Sequence, residues 1–316
     1  MSKHTITITG GSGLVGQIIR PGLKAEGHEV RVFDMYRGAA VDLLRHRFFA
    51  TSRSAIALKF AHKIKHVAKK VERSLLDTPV IARRPDHILD MRSRLVDRFR
   101  GSDVVIHLAG IPHPGFRGAS APDFQTINYE GSVNVFEAAR EAGVRKFVFA
   151  SSAQVYMINK PTRIDQFPIL ETNHCPDLSE GQSHYGWLKL EFEKYMAAQC
   201  SGGPMQAVAL RLEMPGLRST FAENLYISTS VENLVAGFSL AMEAELDSGF
   251  EAFNLADGMV EPGIVDIQKY VAEKWPQVPN KTSGNECLLG IEKARRVLKY
   301  EPKSGGTYYD FFAVWD

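Results

Sequence analysis

The chain has 316 residues, of which 44% are hydrophobic and 23% charged, with 38 Lys or Arg against 36 Asp or Glu. That mix excludes a disordered, collagenous or low-complexity polymer, and a net charge of +2 excludes a general attraction to nucleic acid. Cys175, Cys200 and Cys287 are too few and too scattered for a disulfide framework or a cysteine metal centre, so a reducing compartment and no metal are expected.

The opening run M-S-K-H-T-I-T-I-T-G-G enters a strand pattern directly, and no stretch of 18 apolar residues occurs. The expectation is a cytoplasmic protein with neither signal peptide nor membrane span. Residues 5–9 (T-I-T-I-T) alternate as a strand, a glycine cluster follows, and 14–26 has helical spacing ended by Gly27. Further strands are expected at 30–34, 104–108 and 147–150, with a helix over 128–142 that spaces Val133, Phe136, Ala139 and Ala142 along one face. The second half continues with a helix at 185–199, a strand at 207–212, a helix at 231–242 and a strand at 252–255. This alternation predicts an α/β fold, a doubly wound parallel sheet covered on both faces.

Gly10, Gly13 and Gly16 stand in G-G-S-G-L-V-G, after a strand and at the mouth of a helix. Glycines there permit a tight turn, a close backbone approach to a pyrophosphate and tight helix packing, while the helix N-terminus offers N–H groups to the phosphates. Asp34 ends the second strand 18 residues beyond Gly16, where a carboxylate accepts hydrogen bonds from an adenosine ribose and repels a 2′-phosphate. NAD is therefore favoured over NADP, with Arg37 close enough to soften the preference.

Tyr185 and Lys189, four residues apart in Y-G-W-L-K, share one helical face. A phenol of pKa about 10 is a poor base at neutral pH, but a neighbouring cation favours its phenolate. Tyr185 can then take the proton of a substrate hydroxyl while a hydride leaves for the cofactor. Ser151 and Ser152 follow the strand at 147–150, at the sheet edge where such folds bind ligands, and a hydroxyl there can orient the reacting oxygen.

These features together resemble the extended short-chain dehydrogenase/reductase family, in its nucleotide-sugar epimerase and dehydratase group. The resemblance rests on T-G-G-S-G-L-V-G at 9–16, L-D-M at 89–91, H-L-A-G at 107–110, N-Y-E-G-S-V-N-V at 128–135, F-A-S-S-A-Q-V-Y at 149–156, Y-G-W-L-K at 185–189 and I-E-K-A-R-R-V-L at 291–298. It implies a Rossmann-like NAD domain over 1–212 and a small substrate domain mainly in 213–316, with strand and helix returns to the first. It further implies that Leu14 and Val15 join the glycines at the cofactor, that Asp90 and Met91 contact adenine, and that Leu108, Ala109 and Gly110 run along the dinucleotide. Asn128 would support its ribose or the catalytic water network, Ser152, Tyr185 and Lys189 would form the catalytic trio, with Tyr185 and Lys189 also on the cofactor, and two long helices at about 123–142 and 184–199 would make a homodimer.

Departures from the family pattern narrow the chemistry. Dehydratases carry an Asp-Glu pair after the catalytic hydroxyl, and sugar-acid decarboxylases a glutamate at the second of those positions, where this chain has Ala153 and Gln154. Epimerases show R-x-x-N-x-x-G, whereas here R-L-E-M-P-G at 211–216 puts Met214 at the asparagine and leaves Arg211 a structural role. The compact remainder resembles uronate dehydrogenases, although those have Asn where Ala153 stands. Arg218 is a candidate clamp for a substrate carboxylate or a solvated loop arginine. His113 either lines the substrate mouth or closes a loop between two prolines, and Gln154 and Ser152 complete the candidate substrate contacts.

Between Asp34 and L-D-M lies an insertion at about 39–85. Residues 45–73 hold nine Lys or Arg against Glu72 alone, with Ile56, Phe60, Ile64, Val67 and Val71 forming one apolar stripe. Such a helix packs on its own protein, serves as a lid or subunit contact, or lies on an anionic membrane surface; the first is favoured. The sequence thus predicts an NAD-dependent oxidoreductase acting on a secondary hydroxyl or hemiacetal of a sugar, sugar acid or polyol, with an NAD-retaining nucleotide-sugar epimerase as the alternative.

Overall fold

The computed structural model describes residues 2–34, 94–113, 116–160 and 164–309. Arg37, Asp90, Met91 and the basic insertion lie outside the described residues. The chain divides into two compact units, Met1–Phe33 with Arg92–Asp316, and Asp34–Met91. The first holds six described strands: β1 (Thr5–Thr9), β2 (Glu29–Phe33), β3 (Val104–His107), β4 (Lys146–Ser152), β5 (Gln206–Leu212) and β6 (Phe250–Leu255). They pair in parallel throughout, in the order β2-β1-β3-β4-β5-β6. The expected α/β doubly wound parallel sheet is the fold observed.

Strand alternation divides the core in two. Ile6, Ile8, Ile106, Val148, Val208 and Leu210 point to one face, where Ile18, Ile19 and Leu23 of α1 (Leu14–Ala25) cover them. Val105, Phe147, Phe149, Ala207 and Ala209 point to the other, beneath α2 (Gly131–Glu141) and α3 (His184–Cys200). The alanines of β5 make room there for Phe192 of α3, which meets Phe149 edge-on at 4.8 Å and Phe136 of α2 at 6.2 Å. α4 (Val231–Glu243) returns to the first face through Leu234, Phe238 and Ala241. α5 (Ile267–Lys274) and α6 (Glu292–Leu298) follow.

Two departures from the sequence expectation shape the site. β4 extends to Ser152, so both serines belong to the strand and its alternation aims them at opposite faces. The helix expected over 128–142 begins instead as a π-helical run, Phe124–Glu130, before α2. The wider turn serves Asn128, whose buried amide is bonded to the loop after β3. Among the described residues no helix is long and apolar enough to cross a membrane.

Candidate active site

Strand order reverses between β1 and β3, and ligands of open α/β sheets bind at the carboxyl ends of strands beside such a point. At the end of β1, Gly10 takes φ +71°, and a Cβ there would stand 2.5 Å from the Ala109 nitrogen. Only glycine lets the two loops touch. A Cβ on Gly16 would stand 2.5 Å from the carbonyl oxygen of Gly11, so this glycine sets how closely α1 approaches the loop. Arg20 and Gln17 of α1 reinforce that approach by donating to the Gly11 and Ser12 carbonyls, at 3.1 and 2.6 Å.

Gly13 differs from its neighbours. It caps α1 in ordinary extended backbone with no side-chain bond to the first turn, and its Cβ would meet only the Gly10 carbonyl, at 3.3 Å. Among the described residues, protein does not fill the space beside it, while Leu14, Val15 and Gly16 lie in the helix's first turn, whose N–H groups carry the positive end of the helix dipole. An open glycine at a bare helix N-terminus fits a pyrophosphate. The Gly10 N–H donates to the Phe33 carbonyl at 3.2 Å, and Asp34, half-buried, is the next residue.

The loop after β3 is held just as tightly. Leu108 donates to the Thr9 carbonyl at 2.9 Å, and Gly110 takes φ +153° with Asn128 Oδ1 3.1 Å from where its Cβ would be. Asn128 accepts from the Ile111 N–H at 2.7 Å and donates to the Ile111 carbonyl at 3.0 Å, so its amide positions this loop. His107 is buried between Thr9 (2.6 Å) and Ser132 (2.8 Å), and burial pushes it down to about 3, with the Lys189 charge adding to the effect. It is a neutral cross-link between strand ends and α2.

Tyr185 and Lys189, both buried, lie one turn apart at the start of α3. Gly186 brings that turn against β4: a Cβ on it would stand 2.5 Å from the Gln154 carbonyl, and Gln182 donates to the same carbonyl at 2.8 Å. This brings Tyr185 close enough to Ser152 for the serine to act on the ionisation of its phenol. Lys189 Nζ donates to the Ala150 carbonyl at 2.8 Å and stands 5.8 Å from the centre of the Tyr185 ring. The three residues expected to act together are together.

Their ionisation corrects the sequence reading. Burial pushes the Tyr185 phenol above its usual value, against the Ser152 hydrogen bond, and the nearby Glu213 carboxylate adds to the rise. Burial also pushes Lys189 down to about 7, with Glu193 opposing. The protein alone therefore does not hold the lowered phenol that was expected from Lys189 and an oxidised nicotinamide ring together, because desolvation dominates the phenol.

Behind the trio sits a buried ion pair. Arg211 of β5 meets Glu193 of α3 at 2.6 Å and donates to the Tyr156 hydroxyl at 2.5 Å, and Ser151 donates to the same Glu193 at 2.5 Å. Arg211 is structural, as its sequence context suggested, and the two serines of β4 divide their work: Ser151 anchors α3 while Ser152 faces Tyr185.

Glu213, one residue past β5, escaped the sequence analysis. It follows Leu212, which lies opposite Ser152 in the sheet register. Gln154 donates to its Oε2 at 3.3 Å and Asn224 to its Oε1 at 2.6 Å. Burial raises this carboxyl to about 7, the two amide hydrogen bonds acting in the opposite sense. Arg218 pairs with Glu261 at 2.9 Å, lies over the Tyr308 ring and lines a cavity with Asp257 and Cys287. His113 meets Phe116 edge-on, and partial burial lowers its pKa.

Comparison with known proteins places this geometry. The L-arabinose 1-dehydrogenase (NAD(P)(+)) of Haloferax volcanii is 35% identical over 227 residues, covering 70% of this chain and 82% of that protein. A UDP-glucose 4-epimerase of Schizosaccharomyces pombe is 28% identical over 216 residues, 68% of this chain, and the chain matches only 52% of that relative's length. The solved UDP-glucose-4-epimerase of Stenotrophomonas maltophila, with bound NAD and formylated UDP-arabinopyranose, shares the fold at a TM-score of 0.61 and 20% identity, covering 95% of this chain and 94% of that one. The family model described as NAD dependent epimerase/dehydratase family matches residues 6–242, spanning both the glycine loop and the Ser152, Tyr185 and Lys189 trio. The chain belongs to the NAD dependent epimerase/dehydratase family, a family of NAD-dependent oxidoreductase and epimerase-type enzymes.

Proposed function

We propose that the protein is an NAD-dependent dehydrogenase that oxidises a secondary hydroxyl or hemiacetal of a sugar. The observation that carries this reading is the meeting of three groups: Tyr185 beside Ser152, with Lys189 Nζ 5.8 Å from the centre of the Tyr185 ring. Gly10, Gly13 and Gly16 with the first turn of α1 would hold the pyrophosphate, and Asp34 the adenosine ribose. When bound, NAD supplies the hydride acceptor and a positively charged ring.

Ser152 orients the substrate hydroxyl by hydrogen bonding. Tyr185, as phenolate, takes the hydroxyl proton as the carbon gives up hydride, and the proton passes on to solvent. A phenol raised by burial is a strong base once ionised, and Lys189 Nζ lies 5.8 Å from the ring centre, where a charged amine would favour the anion. The 82% coverage of the L-arabinose 1-dehydrogenase supports oxidation with net release of reduced cofactor.

A second reading, an epimerase that retains NAD, is favoured by the 4-epimerase relatives. Met214 disfavours it, since a thioether cannot donate to a substrate phosphate. Absorbance at 340 nm, with trace enzyme, excess NAD and a panel of aldoses, uronic acids, polyols and nucleotide sugars, separates the two. Sustained formation of NADH over many turnovers is expected; isomerised sugar without net NADH would overturn the dehydrogenase in favour of the epimerase.

A further inference from the structure

A buried carboxylate ordinarily sits beside a cation or under several backbone N–H groups, because a bare charge is costly to desolvate. Glu213 has neither. It is 7% exposed, forms no ion pair with any described residue, and is held by two side-chain amides, those of Gln154 and Asn224. Arg211, two residues before it, is already engaged by Glu193.

Its place ties it to the reaction. β4 and β5 run side by side with Ser152 opposite Leu212, so Glu213 and Gln154 extend from the two strands just past the hydroxyl that faces Tyr185. Glu213 is close enough to Tyr185 to act on its ionisation. The cluster is rich in acceptors: each Glu213 oxygen takes one amide N–H and keeps a further lone pair, and Gln154 Oε1 and Asn224 Oδ1 have no partner among the described residues. Such a surface suits O–H donors. It repels a second carboxylate, which brings only acceptors and a like charge.

We propose that Glu213, with Gln154 and Asn224, forms the sugar-binding subsite beside Ser152 and Tyr185, accepting hydrogen bonds from substrate hydroxyls and selecting an uncharged sugar over a sugar acid. This rests on the dehydrogenase reading for its kinetic test, and on binding alone for a second test.

The experiment measures NADH formation by the full-length protein with L-arabinose, D-galactose and D-glucose against D-galacturonate and D-glucuronate, the last two differing from their hexoses only at C6. The wild type is expected to favour an uncharged sugar over its acid by about 100-fold in kcat/KM, because the acid sets a like charge against Glu213 and loses a hydroxyl donor. Glu213→Gln is expected to raise KM for the uncharged sugar about 10-fold with a smaller change in kcat, to narrow the discrimination against the acid, and to leave NAD affinity unchanged. A merely structural role would lower all of these together. Preference for a uronate by the wild type, or an unaltered KM and ratio in Glu213→Gln, overturns the proposal. Should that variant fail to fold, Asn224→Ala is read in the same way.

If no sugar yields NADH, the dehydrogenase reading fails separately. Saturation-transfer NMR of D-galactose and D-galacturonate with the NAD-loaded protein then decides the subsite. Transfer to D-galactose alone, lost in Glu213→Gln, upholds it, and equal transfer to both or to neither overturns it.

Discussion

Lys189 reaches from α3 to the end of β4, where its Nζ donates to the Ala150 carbonyl at 2.8 Å. The bond locks α3 to the strand that carries Ser152, and it holds an amine where water cannot solvate its charge. That arrangement has a thermodynamic signature. The folded amine titrates at about 7 and an ordinary lysine at 10.5, so between those values the unfolded chain binds more protons and the wild type gains stability as pH rises. Lys189→Met removes the burden of the buried charge. Urea unfolding should show the variant more stable than wild type at pH 7, by about 1–3 kcal/mol after the lost hydrogen bond, with the advantage fading towards pH 10.

Tyr185→Phe keeps the ring and its packing but removes the proton acceptor. NADH formation should fall by about 10²–10⁴-fold while NAD affinity, read by fluorescence, stays the same. Because burial holds the phenol above its usual value, the wild-type kcat/KM should climb on the alkaline side as the phenolate fraction grows. A flat alkaline profile would remove Tyr185 from the role of base.

The glycine loop predicts opposite behaviour from two neighbouring substitutions. Gly16→Ala drives a methyl to within 2.5 Å of the Gly11 backbone and should cost about 2–3 kcal/mol of stability. Gly13→Ala meets one carbonyl at 3.3 Å in backbone that any residue adopts, so its melting temperature should barely change while its Kd for NAD rises about 10-fold or more. Equal losses of fold in both would mean that Gly13 too serves packing rather than a ligand.

Glu213 has the opposite sign of linkage to Lys189. Its folded carboxyl titrates at about 7 and an ordinary glutamate at 4.5, so the folded state holds the extra proton between those values and stability falls as pH rises through that window. Glu213→Gln should therefore be more stable than wild type at pH 8, by about 1–3 kcal/mol, and no more stable at pH 4.5. Thermal melts at the two pH values test it.

Arg211 and Glu193 form a pair in which each is costly without the other. Arg211→Met should destabilise by about 3–5 kcal/mol, because it leaves Glu193 charged and buried, and the second change Glu193→Leu should restore part of that loss. Chemical denaturation of both variants measures the coupling.

The strands and helices were readable because burial on both faces leaves short apolar runs, and because G-G-S-G-L-V-G and Y-G-W-L-K carry spacing that a fold must honour. Tyr185 and Lys189 could be placed on one helical face in this way and Ser152 at a strand end, while the structural role of Arg211 came from the departure of R-L-E-M-P-G from the family pattern. Glu213 could not. Its partners lie 59 and 11 residues away, and nothing in R-L-E-M-P-G says that the acid is buried rather than solvated. The effect of burial on Tyr185 was hidden for the same reason, since spacing shows a nearby cation but not the loss of water. The π-helical run was also invisible, because periodicity from 128 onward fits an α-helix and the demand for a wider turn comes from Ile111, 17 residues earlier.

The wholly parallel sheet also governs how the site is assembled. Parallel neighbours cannot be joined by tight hairpins, so each added strand must wait for a crossover, and the candidate site draws on the ends of β1, β3, β4 and β5 and the start of α3. Among the described residues, no single element carries all of the candidate site. During refolding, regain of turnover should consequently track the slowest sheet-forming phase, lagging behind the return of helical signal, as non-local topology sets the pace.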